Sequence, residues 1–186
     1  MKIIARIHND FKEKFGIPRQ SGLSGELKSR IVFESEYRNP DALRGIDGYS
    51  HLWLIWQFSE AIREDWSPTV RPPRLGGNKR MGVFATRSPF RPNPIGLSSV
   101  RLEKIEITKD EGTVLIVSGA DLLDGTPIYD IKPYVAYSDC HTDAVSGFAD
   151  PVREYHLNVV FCKELLSKVD VSKQKALIQI LEQDPR

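Results

Sequence analysis

The chain has 186 residues, of which 40% are hydrophobic and 27% charged, with a formal net charge of +1. This composition is that of a globular domain with one sizeable core, and no apolar run is long enough to span a bilayer. The first residues lack the apolar stretch of a secretory signal, and two cysteines give no disulfide framework, so we expect a cytoplasmic protein with no membrane contact.

Short β-branched runs separated by Gly and Pro predict strands through most of the chain. In chain order they are KIIARI, LKSRIVFES, HLWLIWQF, the hairpin SSVRLEKIEITKDEGTVLIVSGADL and EYHLNVVF. Before HLWLIWQF, the segment DALRGIDG predicts one or two helical turns. Within the hairpin, the apolar residues change parity between Leu102 and Ile105, which predicts a bulge near Glu103 and Lys104.

Only the C-terminal segment VSKQKALIQILEQ has apolar residues at helical spacing, with Ser172 as a candidate N-cap. Many short strands followed by one helix predict a mainly β fold, either a barrel or a sandwich. No G-x-G-x-x-G or G-x-x-x-x-G-K-[ST] pattern is present, which argues against the doubly wound nucleotide-binding folds.

The segment between Asp65 and Glu103 contains no acidic residue. Its basic residues are Arg71, Arg74, Lys79, Arg80, Arg87, Arg91 and Arg101. Six of the twelve prolines also lie there, and because proline fixes φ the basic groups are held in place before they bind anything. Such a loop favours an anionic ligand, and Trp66 at its start is placed to stack on a nucleobase. A solvated loop balanced by acids elsewhere is the alternative.

Two other loops carry candidate binding or catalytic groups. In FGIPRQSG, Arg19 could clamp a carboxylate or phosphate and Gln20 could pair with a base edge, although a plain surface turn has the same composition. In DLLDGTPIYD, a tight Asp-Gly turn could hold Asp124 or Asp130 at a pocket mouth as a proton acceptor.

The segment YSDCHTDA allows a different chemistry. If it is extended, Asp139, His141 and Asp143 share one face and could bind a divalent metal, as in a metal-dependent hydrolase. The flanking Ser, Thr and Asp suit a loop equally well, and no second His cluster accompanies them.

At GVFATRSPFRPNPIGLS the chain resembles the TsaA-like family, also called YaeB or TrmO. The resemblance extends through PRQSGL, GYSHLWLIWQF, RPPRLGGNKRMGVFATRSPFRPNPIGLS, DLLDGTPIYDIKPY and the terminal QDPR. It implies a small β-barrel that binds S-adenosylmethionine, commonly as a homodimer with a composite site. It also implies transfer of a methyl group from that cofactor to the exocyclic amine of threonylcarbamoyl-adenosine, beside the anticodon of tRNA.

The resemblance further implies which residues act at the site. The cofactor contacts would be Pro18, Arg19, Gln20, Ser59, Glu60, Arg87, Leu97, Asp121, Leu122, Leu123 and Asp124. In the basic segment, the residues expected to meet tRNA are Arg71, Arg74, Lys79, Arg80 and Arg91. Because the target nitrogen is a weak nucleophile, a proton acceptor should assist, and Asp124, Asp130 and Asp184 are the candidates. No metal is expected.

The family pattern continues beyond QDPR with Pro-Ala-Tyr and a small C-terminal module that helps to hold RNA. We therefore expect residues 1–165 to form the barrel domain and residues 166–186 to form the helix and the start of that module. A catalytically silent RNA-binding module and the metal-dependent hydrolase are the competing functions.

Overall fold

The computed structural model describes residues 1–22, 25, 27–75, 77–152 and 156–183. Its strands are β1 (Ala5–His8), β2 (Lys28–Phe33), β3 (His51–Gln57), β4 (Thr69–Val70), β5 (Met81–Gly82), β6 (Ile95–Thr108), β7 (Gly112–Ser118) and β8 (Pro127–Pro133). Six of these strands are hydrogen-bonded in the order β1–β2–β7–β6–β3–β8, and β1 also pairs with β8. The predicted β-barrel is confirmed, while β4 and β5 form a separate two-stranded ribbon.

The barrel is closed by a short seam. Strand β1 pairs with β8 at Ala5–Ile128 and Arg6–Pro127, whereas β3 and β6 pair over seven consecutive positions. Along β3 buried and half-buried residues alternate, so that Leu52, Leu54 and Trp56 point inward. The core that they join consists of Ala5, Ile7, Ile31, Phe33, Val100, Leu115, Val117, Ala120, Leu122 and Ile128.

The long hairpin has the predicted irregularity. Strands β6 and β7 pair from Arg101 opposite Ser118 to Thr108 opposite Gly112, and the register shifts between Leu102 and Lys104. The extra residue moves the apolar side chains of β6 to the other parity, which is the change visible in the sequence. The predicted bulge is therefore confirmed.

The helices are α1 (Ala136–Asp139), α2 (Lys163–Leu166) and α3 (Val171–Glu182). Short 3₁₀ turns occupy Ser35–Tyr37, Pro40–Leu43, Ile46–Gly48, Ser59–Ala61, Pro73–Leu75, Val83–Ala85 and Gly147–Val152. Two of them, Pro40–Leu43 and Ile46–Gly48, confirm the turns predicted for DALRGIDG. No helix in the described part of the chain is long and apolar enough to cross a membrane.

Two predictions for the C-terminal region are wrong. The N-cap of α3 is Asp170, whose carboxylate accepts from the backbone N–H of Ser172, so Ser172 lies inside the helix rather than capping it. Residues 156–161 of EYHLNVVF form no strand, and the Leu157 N–H instead donates to the carbonyl of Glu182 at the end of α3. The closed barrel offers no edge on which this run could pair.

Helix α3 packs on the loop that follows β1. It buries Ala176 and Ile180, the Ile180 side chain lies 3.9 Å from the Cβ position of Gly16, and Lys173 forms an ion pair with Asp10 at 2.8 Å. The proposed boundary at residue 165 stays a prediction.

The topology brings three connections to one end of the barrel. Because neighbouring strands are antiparallel, the segments 9–27, 58–94 and 119–126 all leave from the same end, which we call the site end. The turn at residues 109–111 and the connection 34–50 lie at the opposite end. The segments PRQSG, TRSPFRPNP and DLLDGT are therefore neighbours in space although they are far apart in sequence.

Candidate active site at one end of the barrel

The loop that carries Gln20 docks directly on the segment after β7. The Gly22 N–H donates to the Gly119 carbonyl at 2.8 Å. Gly119 has a φ of +77°, and a Cβ placed on it would lie only 3.2 Å from Gly22 Cα, so any other residue would be strained at this close approach. In the same loop Pro18 is buried and Arg19 is half-buried.

A side-chain hydrogen bond joins this loop to the basic segment. Arg87 Nη1 donates to Gln20 Oε1 at 2.5 Å, and the Arg87 guanidinium also interacts electrostatically with Asp121. Gln20, Arg87 and Asp121, one from each converging connection, are therefore brought together by the fold.

Asp121 ends a chain of hydrogen bonds that begins in the core. Trp56 Nε1 donates to Ser98 Oγ at 2.9 Å, and Ser98 Oγ donates to Asp121 Oδ1 at 2.5 Å. The Trp56 indole lies against Gly96, where an added Cβ would come within 2.2 Å of the ring. Since Ser98 is 1% exposed, one oxygen of Asp121 is fixed from inside the barrel.

The environment of Asp121 makes its carboxylate more basic. Burial raises the pKa of this carboxyl above its usual value, although the Ser98 hydroxyl, backbone N–H groups and Arg87 partly oppose the increase. A more basic carboxylate is a better proton acceptor near neutral pH.

Asp124, in the same turn, has a different environment. Its Oδ1 accepts from the Asn9 N–H at 2.9 Å, its Oδ2 accepts from Lys12 Nζ at 2.7 Å, and His8 Nδ1 lies 3.6 Å from Oδ1. Burial alone would raise the pKa of Asp124, but the hydrogen bonds from Lys12 and Asn9 outweigh it and hold the pKa below its usual value. The carboxylate thus fastens the turn to the end of β1.

The two leucines between these aspartates do not offer exposed side chains at the site end. Leu122 is fully buried in the core, and its carbonyl accepts from Asn9 Nδ2 at 2.9 Å. The Leu123 side chain is half-buried, and its carbonyl accepts from the Thr126 N–H.

Ser59 and Glu60 belong to the 3₁₀ turn Ser59–Ala61 that directly follows β3. Lys14 Nζ lies 3.4 Å from Glu60 Oε2, so this turn is tied to the loop that carries Pro18. The pair is therefore at the site end.

Leu97 and Asp130 lie on the outer face of the barrel instead. Ile55 pairs with Leu97 on one side and with Asp130 on the other, and all three point away from the core. Asp130 Oδ1 accepts from the Ile131 N–H, and Oδ2 pairs with Lys132 Nζ at 3.0 Å. The surrounding residues form the outer-face groove, lined by Trp53, Ile55, Leu97, Lys132, Ser138, Asp139 and His141. The predicted site residues of this chain are therefore divided between two faces.

The basic residues predicted to meet tRNA have unequal freedom. Arg71, Lys79 and Arg80 are exposed, and Arg80 Nη1 donates to Thr69 Oγ1 at 3.2 Å. Arg91 is half-buried, and its Nη1 donates to the carbonyls of Val83, Thr86 and Ser88, which braces the loop. The Arg74 backbone lies in the turn Pro73–Leu75, and Asp184 lies outside the described residues.

The alternative metal site does not form. Asp139 ends helix α1 rather than lying in a strand, and its Oδ2 accepts from Trp53 Nε1 and from the Val135 N–H, both at 2.9 Å. These two hydrogen bonds lower the pKa of Asp139. Across the described ranges, no group of three or more His, Cys, Asp or Glu side chains could hold a metal ion.

Sequence reasoning missed Ser98 and the link from Trp56. Ser98 shares the inward parity of Gly96 and Val100 on β6, so a hydroxyl in an otherwise apolar row was the available signal. A buried hydroxyl requires a partner, and Trp56 and Asp121 supply it.

Comparison with known proteins gives a consistent result. Residues 6–140 match the family described as tRNA-methyltransferase O N-terminal domain. The chain is 43% identical over 189 residues to the tRNA (adenine(37)-N6)-methyltransferase of Escherichia coli (strain K12), covering 98% of this chain and 80% of that protein. It is 47% identical over 147 residues to a putative S-adenosylmethionine-dependent methyltransferase of Pseudomonas aeruginosa, covering 79% of this chain and 59% of that protein.

A solved structure agrees with the sequence comparison. The crystal structure of TrmO from Pseudomonas aeruginosa matches with a TM-score of 0.75 at 36% identity, covering 99% of this chain and 80% of that one. The family match spans most of the barrel and includes all three site-end motifs. The chain belongs to the tRNA-methyltransferase O family.

Proposed function

We propose that the protein is an S-adenosylmethionine-dependent methyltransferase that acts on the N6 amine of adenine 37 in tRNA, in its threonylcarbamoyl form. The observation that carries the proposal is the meeting of Gln20, Arg87 and Asp121 at the site end, beside a basic segment. Relatives named for this methylation and for this cofactor support it.

The residues at the site end fit the cofactor. S-adenosylmethionine carries a carboxylate, an ammonium group and an adenine edge, and when bound it supplies an activated methyl group. Arg87 offers a guanidinium for the carboxylate, and the Gln20 amide offers both a donor and an acceptor. Because Arg87 and Gln20 already hold one another, little ordering of these two side chains accompanies binding. The other cofactor contacts inferred from the family stay predictions.

Asp121 is the best-supported proton acceptor. Methylation leaves the amine nitrogen with one proton to lose, and the Asp121 carboxylate, made more basic by burial, would take it. Asp124 is less suited because Lys12 and Asn9 occupy both of its oxygens and lower its pKa. Asp130 lies on the outer face. Asp121 also remains a predicted cofactor contact, and the two roles can be separated by experiment.

A second copy of the chain would complete the site. The predicted cofactor contact Leu97 lies on the outer face while the other described contacts lie at the site end, so one protomer does not unite them. Leu97 is 56% exposed and flanks the outer-face groove, which a partner protomer would cover. A homodimer with a composite site is therefore part of the proposal, as is action in the cytoplasm, where tRNA is modified.

The test is methyl transfer from radiolabelled S-adenosylmethionine to purified tRNA. We expect label on tRNA that carries threonylcarbamoyl-adenosine at position 37, none when adenine 37 is replaced, and no effect of a chelator. Equal labelling of unmodified tRNA would limit the proposal to adenine 37 itself. Loss of activity with chelator, or no transfer despite cofactor binding, would contradict it.

A further inference from the structure

Three aromatic side chains beside the site end are unusually exposed. Trp66 is 53% exposed, Phe84 is 73% exposed and Phe90 is 39% exposed. The rings of Trp66 and Phe84 are neighbours, with centroids 6.1 Å apart and planes inclined by 33°. We call these three residues the aromatic platform. Exposed aromatic rings that adjoin one another, as those of Trp66 and Phe84 do, are typical of a binding surface.

The backbone holds the platform rather than leaving it on a loose loop. Phe84 lies in the 3₁₀ turn Val83–Ala85, and the Val83 N–H donates to the Pro68 carbonyl at 2.9 Å. Strands β4 and β5 pair immediately beside this bond. Arg91 fastens the other side of the turn through the Val83 and Thr86 carbonyls. The rings are thus presented by a braced surface.

Arginines flank the rings on their faces. The Arg63 guanidinium carbon lies 3.8 Å from the Phe90 ring centroid, and that of Arg91 lies 5.9 Å from the Phe84 centroid. Glu64 and Asp65 precede Trp66, whereas every charged residue from 66 to 102 is basic. Aromatic faces interleaved with guanidinium groups suit a ligand that is both planar and anionic.

The platform adjoins the candidate active site. Phe84 precedes Arg87 by three residues, and Arg87 contacts Gln20 at the site end. A nucleic-acid segment whose target base enters the site would therefore extend its neighbouring nucleotides over these rings.

We propose that the aromatic platform of Trp66, Phe84 and Phe90 stacks unpaired bases of the tRNA anticodon loop that flank the methylated adenine. This inference rests on the proposed function. A base inserted between two rings needs a ring separation of roughly 7 Å, which is two rises of about 3.4 Å. The centroids of Trp66 and Phe84 are only 6.1 Å apart, so no base fits between them. Bases would therefore stack on the ring faces that are exposed to solvent. Unpaired loop bases are already partly unstacked, which makes this contact available to them.

The test uses an anticodon stem-loop RNA that carries threonylcarbamoyl-adenosine, with binding followed by fluorescence anisotropy. Trp66→Ala and Phe84→Ala should each raise the Kd about 10- to 100-fold, as expected for losing one stacked base. Trp66→Phe keeps a ring and should recover most of the affinity. Tyr49→Ala removes a 42% exposed aromatic from the connection at the opposite end of the barrel and should leave the Kd unchanged.

Salt dependence separates stacking from charge. Trp66→Ala should weaken binding equally at low and high salt, whereas Lys79→Gln should reduce the slope of log K against log salt by about 1. Wild-type RNA affinity in folded Trp66→Ala and Phe84→Ala proteins would overturn the inference. A second result would also overturn the inference: the variants dissociate into monomers at low concentration and bind RNA with wild-type affinity at concentrations where they are dimers. The platform would then be a protomer interface.

The inference and the proposed function can fail independently. If the wild type transfers methyl groups and the platform variants bind RNA as it does, only the inference fails. If the wild type binds RNA through the platform and binds cofactor but transfers nothing, only the proposed reaction fails. Absence of any RNA binding by the wild type would contradict both.

Discussion

Asp121 and Asp124 lie three residues apart on one turn, yet their environments oppose each other. Burial dominates at Asp121 and raises its pKa, while Ser98 holds one of its oxygens from inside the barrel. At Asp124, hydrogen bonds from Lys12 and Asn9 dominate and lower the pKa. The same residue type thus has two environments, because the Asp121 carboxylate is bonded from inside the barrel and the Asp124 carboxylate from the loop at the end of β1.

The comparison shows that the environment of a carboxylate decides whether it is a stronger base or a stabilising partner in an ion pair. A carboxylate made more basic by burial costs stability but is ready to take a proton. A carboxylate paired with lysine adds stability but is a poorer base. If Asp121 is the proton acceptor, catalysis and attachment of the turn belong to different aspartates of DLLD, and substitutions at the two positions should separate them.

The largest effect is expected from Asp121→Asn. An amide keeps the shape and can still bond to Ser98, but it cannot accept the proton, so the single-turnover rate should fall by about 10²- to 10⁴-fold. Rapid-quench assays with threonylcarbamoyl-adenosine stem-loop RNA measure this rate, and calorimetry measures cofactor affinity on the same protein. A full rate in the variant would exclude the proton-acceptor role. Lost cofactor affinity with a normal rate at saturation would instead assign Asp121 to the cofactor.

The substitution Gly96→Ala should disturb Asp121 indirectly, through Trp56 and Ser98. In Gly96→Ala the new methyl group would overlap the Trp56 ring at 2.2 Å, so Trp56 must move and its bond to Ser98 must change. We expect the free energy of unfolding to fall by about 1–3 kcal/mol, with slower methyl transfer. The matched control is Gly82→Ala, at a glycine with φ of −57° and no atom within 4 Å of the added Cβ. Equal melting temperatures for both variants would contradict the packing described here.

Arg87→Ala should act mainly on cofactor binding, with a smaller effect on proton transfer because Arg87 also lowers the pKa of Asp121. Losing a guanidinium that faces the cofactor carboxylate removes a charged hydrogen bond, so the Kd for S-adenosylmethionine should rise by about 10- to 100-fold. Titration calorimetry measures the change. Arg44→Ala, whose guanidinium is exposed and paired with Asp41 at the opposite end of the barrel, is the control and should bind as the wild type does. A similar loss in both variants would mean that general charge, not the site, holds the cofactor.

Local sequence patterns predicted the hairpin bulge and helix α3, but not the features that depend on long-range strand pairing. The hairpin bulge near Lys104 and the helix α3 follow from residue periodicity, which is a local property. EYHLNVVF has the composition of a strand, but the closed barrel leaves no edge for it, and that depends on long-range pairing. The contact between Ser98 and Asp121 depends on the β6–β7 register, in which Arg101 pairs with Ser118 and the chain after β7 is carried back past Ser98. The resemblance supplied the motif residues, while only the fold divides them between two faces.

The smallest expected effect is the change in the free energy of unfolding in Asp124→Asn. It tests directly the difference between Asp121 and Asp124. In the folded protein the pKa of Asp124 is lowered, so its ionised form adds stability above the unfolded-state pKa of about 3.9, and this contribution is lost as pH falls through the folded-state pKa. Asp124→Asn should therefore lower the free energy of unfolding by about 0.5–2 kcal/mol at neutral pH and by little in acid.

Asp121→Asn should show the opposite sign. The raised pKa of Asp121 means that its ionisation opposes folding above the folded-state pKa and has no effect below the unfolded-state value. Removing that ionisable group should leave stability in acid unchanged and increase it at neutral pH. Urea unfolding of both variants from pH 7 to pH 3 checks the pair, because the two difference curves should diverge in opposite directions as pH rises. Curves of the same sign would mean that burial and pairing do not distinguish the two carboxylates.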